Sequence, residues 1–133
     1  MFPEYHPPSR KAAFLPTRDE ICSVVESYVK HLGDHDVDRL VSLFADDAVQ
    51  HEPLGVRTYR GVDEIRAFDV ENAKVAFSVS RHSPIVVSGR YAATQLRVQR
   101  EGMPAFLAAD LFEFDDDGRI VALSVVIDPA ARA

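Results

Sequence analysis

Three side chains in this sequence have the type and placement for proton chemistry: Asp110, Tyr28 and Glu52. Asp110 stands in the run Phe106-Leu107-Ala108-Ala109-Asp110-Leu111-Phe112-Glu113-Phe114. Read as a strand, one face of this run carries Phe106, Ala108, Asp110, Phe112 and Phe114, and every member but Asp110 is apolar. An ionised carboxylate on such a face is costly, so the group finds a partner or becomes neutral. A neutral carboxylic acid can donate a hydrogen bond, which a carboxylate cannot. The same placement suits an Asp that ties down a neighbouring loop. Tyr28 is the one hydroxyl on the central part of an apolar helical stripe, and a buried tyrosine seeks a partner for that hydroxyl in the core or in a pocket. Glu52 ends a short strand just before Pro53, where an acid is either a base aimed at a site or a solvated strand end.

The elements that would position these groups follow from periodicity. Thr17-Arg18-Asp19-Glu20 has capping-box form, and Ile21, Val25, Tyr28 and Leu32 fall on one face of the helix it opens. Gly33 is the expected stop. A second helix is predicted from about Asp36 to Ala45, with Val37, Leu40, Val41 and Phe44 inward and Asp46-Asp47 at its end. Ala48–Glu52 reads as a short strand closed by Pro53 and a turn at Gly55. A third helix follows Gly61, with Val62, Ile65 and Phe68 facing in. From Val75 the pattern changes to strands: Val75 to Val79, Ile85 to Val87, Ala92 to Gln99, the run 106–114, and Ile120 to Ile127 before Asp128-Pro129. Turns are expected at Glu101-Gly102 and Asp115–Gly118. Helices grouped ahead of a meandering sheet imply an α+β fold with the helices on one face.

Composition limits the alternatives. The 133 residues suit one domain, and the apolar fraction of 47% is that of an ordinary globular chain. Eight Phe and four Tyr supply material for an aromatic-lined cavity. A net charge of −6 without a basic stripe argues against nucleic acid or an anionic membrane as partner. No run is long enough for a membrane span, and no signal-peptide core is evident, so a cytoplasmic location is expected. Residues 1–16 hold Pro3, Pro7, Pro8 and Pro16 and read as a flexible arm ahead of a single domain over 17–133. The lone Cys22 reads as a packed thiol. His31 and His35 have the i,i+4 spacing of a metal pair, but Gly33 and Asp34 break the helix between them, so no metal site is expected. His51 points away from Glu52 on a regular strand.

At this point the sequence resembles the ketosteroid isomerase branch of the nuclear-transport-factor-2-like (NTF2-like, SnoaL-like) superfamily. The carrying residues are Glu26-Ser27-Tyr28-Val29, Leu43-Phe44-Ala45-Asp46-Asp47-Ala48-Val49, Glu52-Pro53-Leu54-Gly55, Arg60-Gly61 with Ile65-Arg66-Ala67-Phe68, and Ala109-Asp110-Leu111-Phe112-Glu113-Phe114. The resemblance implies a cone-shaped fold, three N-terminal helices packed on a strongly curved antiparallel sheet, and a homodimer formed through the sheet face. It implies that Tyr28 and a protonated Asp110 form an oxyanion hole and that Glu52 is the general base. In those isomerases a carboxyl held neutral by its apolar site is a known donor, so that behaviour comes with the resemblance. Phe68, Asp69, Phe112 and Ile127 are the implied pocket residues. Three positions differ from the family pattern: Glu52 stands where the base is usually Asp, Asp69 where a further tyrosine bonds the oxyanion-hole tyrosine, and Ile127 where an aromatic residue is frequent.

The implied reaction is steroid Δ-isomerisation without cofactor or metal. A carboxylate removes a proton beside a ketone and returns it to another carbon, while two donors hold the dienolate oxygen in a dry pocket. The implied partner is a small hydrophobic ligand such as a steroid. The alternatives are a polyketide cyclase or epoxide hydrolase in the same cavity, or a non-catalytic binder. Epoxide hydrolases of this kind use an Asp-Arg-Asp set. Arg97 and Arg100 are the arginines on the relevant strands here, and Arg97 falls opposite Leu96 and Val98.

Overall fold

The computed structural model describes residues 16–133, and the expected arm at 1–16 lies outside them except for Pro16. Pro16 itself is buried, so the packed fold already includes that residue.

Helix α1, Arg18–Gly33, begins as its sequence requires. The Thr17 hydroxyl accepts from the Glu20 amide at 3.2 Å, and the Glu20 carboxylate accepts from the Thr17 amide in return. Two of the helix's unpaired donors are satisfied this way. Ile21, Val25 and Tyr28 are its buried face. The helix ends at Gly33, yet the left-handed turn falls on His35, with φ 58°. Histidine is tolerated there because its ring is tied down. Nδ1 lies 2.9 Å from the Ala73 carbonyl oxygen, Nε2 lies 3.1 Å from that of Phe77, and the ring stacks on Phe77. Both ring nitrogens of the second member of the His31/His35 pair thus face backbone carbonyl oxygens.

Helix α2 covers only Val37–Val41, capped by Asp36, and is shorter than expected. Strand β1, Phe44–His51, starts where the helix was predicted to continue. The reason is a bulge: from Phe44 to Val49 the strand advances five residues while its neighbour advances two, from Ile120 to Ala122. The exposed Asp46-Asp47 pair falls in that excess length rather than ending a helix. Strand β2, Thr58–Arg60, returns antiparallel to β1 and was not foreseen. Helix α3, Val62–Ala73, follows Gly61, whose φ of 84° and amide bond to the Ala48 carbonyl at 2.7 Å turn the chain back over β1.

The remaining strands are β3 (Phe77–Arg81), β4 (Val86–Ser88), β5 (Tyr91–Arg100), β6 (Phe106–Phe114) and β7 (Ile120–Arg132). They form one sheet of seven strands in the order β2-β1-β7-β6-β5-β3, with β4 also on β5. Strands β1 and β7 run parallel, and the other pairs are antiparallel. β7 runs past Asp128-Pro129, where the sequence suggested an end. The pairing skips there, Leu107 facing Asp128 and Phe106 facing Arg132, so the proline that lacks an amide sits in the irregularity. Helix α1 lies on β3, β4 and β5, and α3 on β1 and β2. The core between them is built from Val25, Ile65, Phe112, Phe114, Ile120 and Leu123, each 2% exposed or less.

Candidate active site

The face of β6 singled out by alternation is buried at all five positions. Asp110 lies there 2% exposed. Its cross-strand neighbour is Thr94, a potential partner, but the Thr94 hydroxyl donates to the Ser83 carbonyl at 3.0 Å. Asp110 Oδ1 is left buried with no hydrogen-bond partner among the described residues. Burial, and next the charge of Glu52, push the Asp110 carboxyl well above the usual range, which favours its neutral form.

Tyr28 comes from α1 and packs edge-on against Phe112, ring centroids 5.2 Å apart, and against Phe44 at 6.4 Å. These rings fix its position, and its hydroxyl bonds to none of the described residues. Burial, then Asp110, Glu52 and Asp69 in that order, raise it well above the ordinary tyrosine value, so it too stays protonated.

Glu52 follows β1 directly. Its amide bonds to the Arg57 carbonyl at 3.1 Å, and the next turn is pinned to β7 by Leu54 N–H to Val125 O at 2.8 Å. Gln50, two residues back on the same face and 1% exposed, donates from Nε2 to Glu52 Oε1 at 3.0 Å. Burial pushes the Glu52 carboxyl up to about 7, against the Gln50 hydrogen bond and the charge of Arg100, which both favour the ionised form. Sequence reasoning missed Gln50. A glutamine in the strand two residues before an acid was the available signal, since both then share one face.

These three groups line one cavity of about 270 Å³ between α1 and the inner face of the sheet. Its walls are otherwise largely apolar, with Leu96, Val98, Phe106, Ala108, Val125 and Ile127. Tyr28 and Asp110 are buried at the inner end, while Met103 and Pro129 are exposed at the outer end. The volume lies just below the ~300–1,000 Å³ common for drug-sized ligands. Arg100 also lines this cavity, on the same face of β5 as Leu96 and Val98. Of the two arginines named from the sequence, Arg97 faces the other way as expected, whereas Arg100, whose face was not assigned, lines the cavity.

The four implied pocket residues divide. Ile127 lines the cavity. Phe112 lies in the core, packed on Tyr28 and on Phe114. Phe68 packs at a tilt against Tyr59, centroids 4.6 Å apart, in a separate surface groove, because Ile65 and Asp69 take the inward face of α3 and Phe68 flanks it. Asp69 is 5% exposed and faces a small crevice beside His31, His35 and Phe77 rather than the cavity. It makes no hydrogen bond to Tyr28, and its Oδ2 has no partner among the described residues. Burial and then Glu52 raise it to about 7, with Arg66 opposing. His51, on the opposite face from Gln50, has Nδ1 2.9 Å from the Thr58 hydroxyl oxygen across β1 and β2.

Chemically, the arrangement places a tyrosine hydroxyl and a carboxyl, both pushed toward their protonated forms, beside a second carboxyl raised to about 7, around an apolar space. Among solved structures, that of the epoxide hydrolase/cyclase-like enzyme SalBIII, described for its role in pyran ring formation in the polyether salinomycin, is similar to this chain, with a TM-score of 0.75 and 19% identity over 83% of this chain and 92% of that one. At that identity the likeness is one of fold. Residues 25–123 match the family model of the SnoaL-like domain, a span that runs from within α1 to the start of β7 and includes all three groups, and the chain therefore belongs to the SnoaL-like family of the NTF2-like superfamily.

Proposed function

We propose that this protein is a cofactor-independent acid–base enzyme that moves a proton beside a ketone, as a steroid Δ-isomerase does. The observation that carries the reading is that Glu52, Tyr28 and the partnerless Asp110 line one apolar cavity. Glu52 takes the proton from the carbon between the carbonyl and the alkene. The electron pair moves to the carbonyl oxygen, which Tyr28 and Asp110 hold by two hydrogen bonds without reorganisation. Glu52 then returns the proton to the far carbon, leaving a conjugated enone. A carboxyl poised near 7 suits both steps, because it neither holds nor releases the proton too firmly. The substrate is a small hydrophobic ketone of steroid type.

The test is growth of conjugated-enone absorbance from a 3-oxo-Δ5 steroid, for the wild type and Glu52→Gln. Turnover lost in the variant supports the reading. A wild type no faster than buffer overturns it, and tight binding of a phenolic steroid without turnover then makes the protein a binder.

A second reading has its own support in Arg100, a cation on the cavity face. Asp110 would donate to an epoxide oxygen while Glu52 takes the proton from the attacking hydroxyl, closing a ring or adding water. The similar solved structure of an epoxide hydrolase/cyclase-like enzyme agrees with this chemistry. Ring closure of a hydroxy-epoxide, without enone formation from the ketone, would select it.

The homodimer proposed from the resemblance is supported by exposed Leu111 and Val126 on the outer face of β6 and β7. No helix among the described residues is long and apolar enough to cross a membrane.

A further inference from the structure

The cavity has a charged end as well as a neutral one. Strand β5 presents Leu96, Val98 and Arg100 inward in succession, so Arg100 continues an apolar wall. Its Nε is buried and has no acceptor among the described residues, and no described carboxylate lies within ion-pair distance of its guanidinium. Shortage of acids is not the reason, since the chain carries a net charge of −6. Four other arginines find carboxylates: Arg39 with Asp36, Arg66 with Asp38, Arg81 with Glu26 and Arg90 with Asp116. The Glu52 carboxylate, one of two acids in the same cavity, takes its hydrogen bond from Gln50 instead. A guanidinium is always charged, and here the Glu52 carboxylate acts on it through charge alone, leaving the buried Nε–H without an acceptor, which is unfavourable. A merely solvated arginine would gain more on the outer face, where Arg97 is exposed.

We propose that Arg100 is an anion-binding residue that selects substrates carrying a carboxylate, or an equivalent acidic oxygen group, at the end remote from the oxygen held by Tyr28 and Asp110. The register sets the layout. Asp110 faces Thr94, and Arg100 lies six residues further along β5. That is about 20 Å of extended strand before the arginine side chain reaches back. The substrate is thus a rod: an apolar body with an electrophilic oxygen at the inner end and an acid at the outer one. A planar carboxylate matches the guanidinium fork with two parallel hydrogen bonds. The inner end of this ligand rests on the acid–base reading above, whereas the acidic end is argued from Arg100 alone.

The experiment separates the two. Isothermal titration calorimetry at pH 8 would compare 4′-hydroxybiphenyl-4-carboxylate with its primary amide, whose phenol mimics an enolate oxygen. The acid should bind wild-type protein at least about tenfold more tightly than the amide, the scale of a charge-assisted contact. In Arg100→Gln the acid-to-amide ratio should fall to near one, and in Arg100→Lys it should be intermediate. A wild-type ratio near one overturns the proposal without reference to any variant, as does a large ratio that survives in Arg100→Gln. Acid binding that depends on Arg100, without measurable amide binding, upholds the anion site and counts against the Tyr28–Asp110 donor pair. Tight amide binding with no gain for the acid does the reverse, and failure of both ligands to bind overturns both readings.

Discussion

Gln50 Nε2 donates to Glu52 Oε1 at 3.0 Å, from a side chain that is 1% exposed and two residues back along the same strand. The contact fixes one carboxylate oxygen and favours the ionised form of the acid, against the burial that raises it to about 7. Replacing Gln50 by Leu removes that opposition. The pH at which kcat/KM reaches half its plateau should then move upward. If it moves by one unit, activity at pH 7 falls about fivefold while the plateau at high pH changes little. A pH–rate profile of the variant checks this, and an unmoved midpoint would mean that the amide does not tune the base.

The proposed base, Glu52, should set the wild-type profile. With Glu52 near 7, kcat/KM should be small at pH 5, rise through about 7 and level off above pH 8. Glu52→Gln should lose about 10²–10⁴-fold at pH 8, the usual contribution of a positioned base. Steady-state assays across pH report both quantities.

Asp110 is expected to act as a donor, and its variants sort by whether they can donate. Asp110→Asn keeps an N–H and should retain more activity than Asp110→Ala, which should lose about 10²–10³-fold in kcat. The order would reverse if the carboxylate were the working form. Circular dichroism confirms that both variants fold.

Burial of Asp69 and Glu52 makes stability depend on pH. Both are raised to about 7 from ordinary carboxylate values in the folded chain, so between about pH 4 and 7 the folded state holds protons that the unfolded state releases. Their neutral forms are therefore favourable at low pH, and stability falls as pH rises through 7. Asp69→Asn should flatten this slope and raise stability at pH 8 by on the order of 2–4 kcal/mol, since each unit is worth about 1.4 kcal/mol. Urea denaturation at pH 5 and pH 8 measures it, and equal slopes in the two proteins would sink the assignment.

Leu111 and Val126 are 47% and 44% exposed on the outer sheet face. If a second copy covers that face, Leu111→Arg should convert a dimer into a monomer in sedimentation velocity while leaving Glu52 and Asp110 in place. A wild type that sediments as a monomer at micromolar concentration would count against the dimer.

The sequence by itself determined the parts governed by local rules. The capping box at Thr17 and Glu20 starts α1 where it was expected, because caps are satisfied within one turn. Alternation placed Asp110 on a buried face of β6, because side chains of a strand repeat every two residues. The separation of helices from strands gave the α+β class. Tertiary structure decided what depends on partners distant in sequence. The bulge that begins β1 at Phe44, and the skip that carries β7 past Pro129, are set by how those strands pair with each other and with β6. Helical spacing faces Phe68 inward, but it packs half-buried against Tyr59, which lies on a strand not expected from the sequence. The left-handed turn fell on His35 rather than Gly33 because Ala73 and Phe77 hold its ring. Only the closed fold could leave Asp110 Oδ1 without a partner, the Thr94 hydroxyl opposite it donating to the Ser83 carbonyl, and only the fold could bring Arg100 into the same cavity. Period and capping act within a few residues and are written in sequence, whereas the donors, acceptors and counter-ions of a buried group come from elsewhere in the chain.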